Sequence, residues 1–201
     1  MVRMIERHAC GRHCLAIAFV FCAMLPLEEA RPADVKVVEL SYEENRYVLK
    51  LEAHIAATPA AVFAVITDYP SIPRLHRRVR ESRVIRRTDE RTSEVFTLIR
   101  GCIAFVFCKS VRRVERIEEN PPNELIATII PGQSDFLFGR VRWLLTAKEG
   151  GTLLTYENET EPKFRVPGML GEALMARSLG RTARQMIDRV EDLARLGDEG
   201  N

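Results

Sequence analysis

Few residues in this chain have the types and spacing that chemistry requires. Beyond residue 33 the only histidines are His54 and His76. His54 alternates with Lys50 and Glu52, so it belongs to the wet face of a strand, and general-base work would need a partner within hydrogen-bond reach. No His/Cys spacing suits a zinc site. The chain also lacks a Gly-x-Ser-x-Gly elbow, a Gly-x-Gly-x-x-Gly turn and a phosphate loop ending in Lys-Ser/Thr. No catalytic residue, metal or cofactor is therefore expected. Glu157, Glu159 and Glu161 share one face of a strand, and three carboxylates turned inward would lose hydration and repel one another. They belong outside, which turns Leu154 and Tyr156 inward. An inward arginine would demand an anionic partner or a ligand oxygen. Arg100 and Arg142 are the ones to watch, although register opposite Trp143 places Arg142 outside.

Cys102 and Cys108 are the cysteines left once the N-terminal segment is set aside. On one flat strand they would stand about 20 Å apart, at about 3.3 Å per step. A disulfide tolerates about 7 Å between Cα atoms, so a bridge requires the chain to turn back between them. A pair of buried thiols is the alternative.

A dense basic run holds Arg74, Arg77, Arg78, Arg80 and Arg83, followed by Arg86, Arg87 and Arg91. Read plainly, it is a solvated face. Read functionally, it is a patch that docks on an anionic membrane surface. Nucleic acid fits poorly, because no aromatic residues are interleaved for base stacking.

The 201 residues and net charge of +2 imply one domain with a sizeable core and no partner chosen by bulk charge. Residues 1–33 stand apart: Arg3, Arg7 and Arg12 precede a short apolar run from Cys14 to Leu27. A basic head and an apolar stretch shorter than the roughly 20 residues of a membrane span read as a secretory signal. Glu28 and Arg31 spoil the small-residue pattern before the candidate cleavage points, so retention as an N-terminal anchor is the other possibility. The expected destination is periplasmic or extracellular. The remaining chain divides into a polar lead-in over 34–45, a folded domain over 46–197 and a tail over 198–201.

Within that domain, Tyr47–Ile55 alternates as a half-buried strand. Thr58 and Pro59 form an N-cap and first helical position for a short helix, which Asp68-Tyr-Pro stops before a second short turn through Leu75. Strands follow at Val79–Arg87, Thr92–Arg100, Phe107–Glu118, Glu124–Ile130, Arg140–Lys148 and Thr152–Glu161, with Gly150-Gly151 as a hairpin signal. A long helix over Pro167–Leu196 closes the chain. Its apolar stripe is Leu179, Ala183, Met186, Ile187, Val190, Leu193 and Ala194, with Arg177, Arg181, Arg184 and Glu191 opposite.

The element order, with Thr-Pro-Ala-Ala-Val-Phe-Ala-Val-Ile-Thr-Asp-Tyr-Pro-Ser-Ile-Pro at 58–73, resembles the START-like superfamily. Within it the likeness is to polyketide cyclase/dehydrase-like and coenzyme Q-binding START-domain proteins. The resemblance implies an α+β helix-grip fold: a curved antiparallel sheet of about seven strands around the C-terminal helix, with a hydrophobic cavity between them. Expected wall residues are Leu49, Leu51, Val95, Thr97, Trp143, Leu145, Tyr156, Leu170, Leu174 and Met186. Phe105, Phe136 and Phe138 are expected at the mouth. The implied function is binding or carrying a lipid, isoprenoid quinone or similar molecule. The alternatives are a cyclase/dehydrase-like enzyme in the same cavity and a protein-interaction domain whose cavity is filled.

Overall fold

The structure is a computed structural model that describes residues 34–103, 107–164 and 169–199. Asp34–Glu43 (β1) and Arg46–Ile55 (β2) pair through a two-residue turn, Glu44 and Asn45, at φ 48° and 72°. Positive φ at both central positions is the turn that matches strand twist. Residues 34–45 are thus a strand and a turn, not a lead-in. The register shifts between Val37 and Glu39. Such a bulge changes parity: Val35 and Val37 mark one phase, Leu40 and Tyr42 the other, so simple alternation fails.

Pro59–Thr67 (α1) starts where the Thr58 hydroxyl accepts the Ala61 N–H. A 3₁₀ turn at Tyr69–Ser71 leads into Ile72–Leu75 (α2). Then come Val79–Arg87 (β3), Thr92–Ile103 (β4), Phe107–Asn120 (β5), Glu124–Ile129 (β6), Phe136–Lys148 (β7) and Gly151–Pro162 (β8). One eight-stranded antiparallel sheet results, ordered β1-β2-β8-β7-β6-β5-β4-β3. It is a meander except where β2 returns to pair with β8, and β1 extends it beyond the seven strands expected. At the β7–β8 hairpin, Gly151 (φ 148°) abuts the Ile55 carbonyl so closely that a Cβ would collide with it. Glycine is what lets this turn seat against the end of β2.

Met169–Glu199 (α3) lies against the sheet. Ala183, Ile187, Val190 and Ala194 are buried there, with Met186 and Leu193 packed partly against the same core. Glu191 departs from its expected place on the solvent side. It is only 5 % exposed and accepts the Ala56 N–H at 2.9 Å. A buried carboxylate needs such a donor, and the end of β2 supplies a backbone amide. At the helix terminus, Asp198 accepts both the N–H and the hydroxyl of Thr58. The arrangement is a helix-grip α+β fold.

The outer sheet face carries the glutamates of β8. Arg46 bonds Glu159 and Glu161 at 3.0 and 3.1 Å, and Arg142 bonds Glu124 at 2.7 Å while reaching toward Glu157. The β4–β5 hairpin turns back so that Cys102 stands opposite Cys108, and Cys108 is disulfide-bonded.

Candidate ligand cavity

A bent sheet and a straight helix cannot touch everywhere. Between them lies a cavity of about 270 Å³ whose lining comes from β2 to β8 and all three helices. Its wall is largely apolar. Leu49, Val95, Thr97, Trp143, Tyr156 and Met186, all expected there, do line it. The Trp143 and Tyr156 rings meet edge to face, 4.8 Å between centroids. Leu51 and Leu145 are instead sealed within the core, and the Leu174 side chain points to solvent at 47 % exposure. Phe105 and the Leu170 side chain lie outside the described residues. Phe136 and Phe138 part ways across the register shift between them. Phe136 lies under the Arg113 guanidinium at 5.4 Å, whereas Phe138 lies under Arg46 at 4.8 Å, on the face that carries Glu159 and Glu161.

The polar part of the wall is the feature that sequence reasoning missed. Alternation along β5 turns Val111, Arg113, Glu115 and Ile117 to the inner face. Arg113 Nη2 donates to Glu115 Oε1 at 2.5 Å, with the two side chains only 15 % and 11 % exposed. Burial alone would lower the Arg113 pKa. The Glu115 carboxylate, through charge and hydrogen bond, reverses this and holds the guanidinium above its ordinary value. Arg113 Nε is buried and has no hydrogen-bond partner among the described residues. On β8, Asn158 also faces the cavity, 9 % exposed, with its Oδ1 unpartnered among the described residues. Burial pushes the neighbouring Tyr156 phenol up to about 12, with Glu115 adding a smaller rise and Arg113 and Asn158 opposing it. Arg100 and Arg142, the arginines singled out from sequence, are respectively exposed and engaged on the outer face.

Between α2 and β3, His76 and Arg78 complete the lining. His76 Nδ1 accepts the Arg78 N–H at 3.2 Å, which leaves the ring proton on Nε2. Burial first and Arg78 second lower the His76 pKa. The Arg78 guanidinium donates to the Ser178 hydroxyl at 3.0 Å and so ties this loop to α3. Tyr69, from the Asp-Tyr-Pro stop signal, donates to Glu119 at 2.5 Å, and burial raises its pKa.

Of the basic run, Arg74, Arg77 and Arg80 are exposed, while Arg83 is held by Glu81 and stacks on Phe96. Two other hollows are larger. One, of about 370 Å³, lies among Lys50, Glu124, Arg142 and Glu157, where the charges already pair with each other or with neighbours. The other, of about 450 Å³, separates α1 from the end of α3. Neither has the apolar wall of the inner cavity, which is the candidate site. Among the described residues no group of three or more His, Cys, Asp or Glu could hold a metal ion.

Comparison with known proteins agrees with this architecture. Residues 47–195 match a family model described as polyketide cyclase / dehydrase and lipid transport. A START superfamily protein from Mycobacterium smegmatis superposes with TM-score 0.58 at 20 % identity, covering 73 % of this chain and 98 % of that one. A Streptomyces aromatase/cyclase gives 0.59 at 10 % identity, covering 75 % and 94 %. A STAR-related lipid transfer protein from Xanthomonas axonopodis gives 0.55 at 13 % identity, covering 78 % and 98 %. No curated protein matches at the level of sequence.

Proposed function

The chain belongs to the polyketide cyclase / dehydrase and lipid transport family, and from that membership we propose that it carries a small hydrophobic molecule between its sheet and α3. The observation that carries this reading is the apolar cavity itself. At about 270 Å³ it falls just under the usual small-molecule pocket, roughly 300–1,000 Å³. That volume suits a single lipid chain or a quinone head group better than a two-chain phospholipid. Affinity would come from removing apolar surface from water, about 25 cal/mol per Å² before ordering costs. Purification from an expression host, solvent extraction and mass spectrometry should find a stoichiometric apolar compound, or the empty protein should take one up from an offered lipid mixture. Absence of both retention and uptake would refute the carrier.

Two finer parts of the proposal concern place. The basic head and apolar run of residues 1–33 support export or N-terminal anchoring, and a disulfide at Cys108 is of the kind that oxidising compartments preserve. Fractionation of expressing cells should put the protein outside the cytoplasm. Arg74, Arg77 and Arg80 are exposed and have no ion pair among the described residues. They support approach to an anionic surface, so vesicles rich in phosphatidylserine should bind the protein and a triple Arg→Gln variant should release it.

A second reading, ring closure or dehydration of a polyketide-like chain, is favoured by one observation: Arg113, Glu115 and Tyr156 all face the cavity. Such chemistry needs a base with a free lone pair. Glu115 is tied to Arg113 through Oε1 and only its other oxygen is left to act, Tyr156 stays protonated at neutral pH, and the His76 Nδ1 lone pair is occupied. The groups present are suited to holding an oxygen rather than moving a proton. Turnover of a poly-β-ketone thioester by the protein would reverse that preference.

A further inference from the structure

We infer that Arg113, Glu115 and Asn158 form a recognition subsite for an uncharged oxygen function, a carbonyl or hydroxyl, on the apolar ligand, and that the subsite rejects carboxylates and phosphates. The inference rests on the carrier reading and assigns the chemical class of what is carried.

Charge balance supplies the first step. A lone buried arginine would attract any anion, but here Glu115 already neutralises the guanidinium at 2.5 Å. A second carboxylate placed against Arg113 would face Glu115 at close range, and the cavity's other arginine, Arg78, stands apart between α2 and β3 and is turned to Ser178. Repulsion and lost hydration would then act together. A neutral oxygen meets neither cost.

Hydrogen-bond capacity supplies the second step. A guanidinium carries five N–H donors in a rigid fork. Arg113 spends Nη2 on Glu115, Phe136 lies against its face, and Nε is buried without a partner among the described residues. Asn158, more than nine-tenths buried, presents an amide whose Oδ1 is likewise unpartnered. Unmatched buried polar groups are costly and rare in native proteins. Two of them, on different strands but lining one cavity, set out a donor and an acceptor for a guest. A ketone oxygen would take the Arg113 Nε proton, and a hydroxyl would also satisfy Asn158. The apolar remainder would lie along Val95, Trp143 and Met186.

The test uses the intact protein, calorimetry, and three probes with distinct outcomes: butylbenzene, 2-decanone and decanoate at pH 8. The expected result is that butylbenzene binds, 2-decanone binds more tightly, and decanoate binds at least about tenfold more weakly than the ketone, a difference set by the repulsive element. Glu115→Gln keeps the shape of the pair but leaves Arg113 uncompensated. It should reverse the preference toward decanoate by about tenfold or more. An Arg113→Met/Glu115→Leu double variant, which buries no unpaired charge, should bind all three probes with little discrimination and checks the result should the single variant fold poorly. If butylbenzene binds but neither variant alters the ketone-to-carboxylate ratio, the subsite is overturned while the cavity reading stands. If no probe binds at all, the carrier reading falls and the subsite with it.

Discussion

Two arginine–glutamate pairs of the same sheet, Arg113–Glu115 and Arg142–Glu124, have similar lengths of 2.5 and 2.7 Å. They differ in the face they occupy. The inner pair is 15 % and 11 % exposed, the outer pair 38 % and 25 %. An outer pair keeps much of its hydration, and solvent screens what it gains. An inner pair has surrendered hydration and is rarely better than an apolar replacement, although losing half of it is severe. The outer pair therefore decorates the fold. The inner one is hard to explain by stability and fits a role in recognition.

The most severe test of that contrast removes one inner partner. Arg113→Met should leave Glu115 buried without a counter-charge and cost about 3–5 kcal/mol in urea unfolding. The Arg113→Met/Glu115→Leu double variant should recover most of the loss. A single variant as stable as the native protein would mean that the pair is wetter than its burial implies. Next in size is the apolar counterpart of the same contrast. Ile187 on α3 is fully buried, whereas Leu174 on the same helix is 47 % exposed. Ile187→Ala should cost about 2–5 kcal/mol, while Leu174→Ala should stay within about 0.5 kcal/mol. Similar losses at both sites would show that the N-terminal turns of α3 are packed too.

Alkali sharpens the comparison from the inner side. Burial holds the folded Tyr156 phenol at about 12, above its ordinary value of 10.0. The unfolded chain therefore loses its phenolic proton first. The stabilisation is complete below about pH 10 and is lost as pH rises from there toward about 12. The loss from this group should total about 2–3 kcal/mol, at 1.36 kcal/mol per pKa unit. Tyr69, also raised by burial, adds to the same trend. Stability curves against pH for the native protein and Tyr156→Phe should converge over this window as the tyrosine's share disappears. Parallel curves would mean that water reaches the phenol.

Much of the fold was legible because its signals are local. Thr58-Pro59 starts α1, Asp68-Tyr-Pro stops it, Gly150-Gly151 turns β7 into β8, and the stripe from Leu179 to Ala194 buries one side of α3. What stayed hidden depends on contacts between distant segments. β1 escaped because its bulge switches parity, and because Glu44-Asn45 makes a turn usually marked by glycine. Arg113 and Glu115 escaped because β5 has apolar residues on both faces. Val111 and Ile117 share the inner one, but Val114 is buried on the other, where Ser134 bonds its N–H and carbonyl. Alternation alone could not choose between the faces. Glu191 was misplaced for a related reason: the Ala56 amide that accounts for its burial lies 135 residues away in the chain.

The smallest expected effect is the one on which the contrast depends most. Arg142 donates to Glu124 and also reaches Glu157 at 3.9 Å, yet all three side chains remain open to solvent. Arg142→Met should therefore change unfolding free energy by at most about 1 kcal/mol. Whatever it does cost should fade between low and high salt, because a Debye length shrinks from about 30 Å at 0.01 M to about 3 Å at 1 M. Arg113→Met should show no such fading, since its partner lies beyond the reach of mobile ions. Affinity for the neutral probe should also separate the two variants, being kept in Arg142→Met and reduced in Arg113→Met. An outer variant that proved as costly as the inner one, and as insensitive to salt, would mean that the two faces of the sheet do not differ in solvation and would remove the ground for reading the inner pair as a subsite.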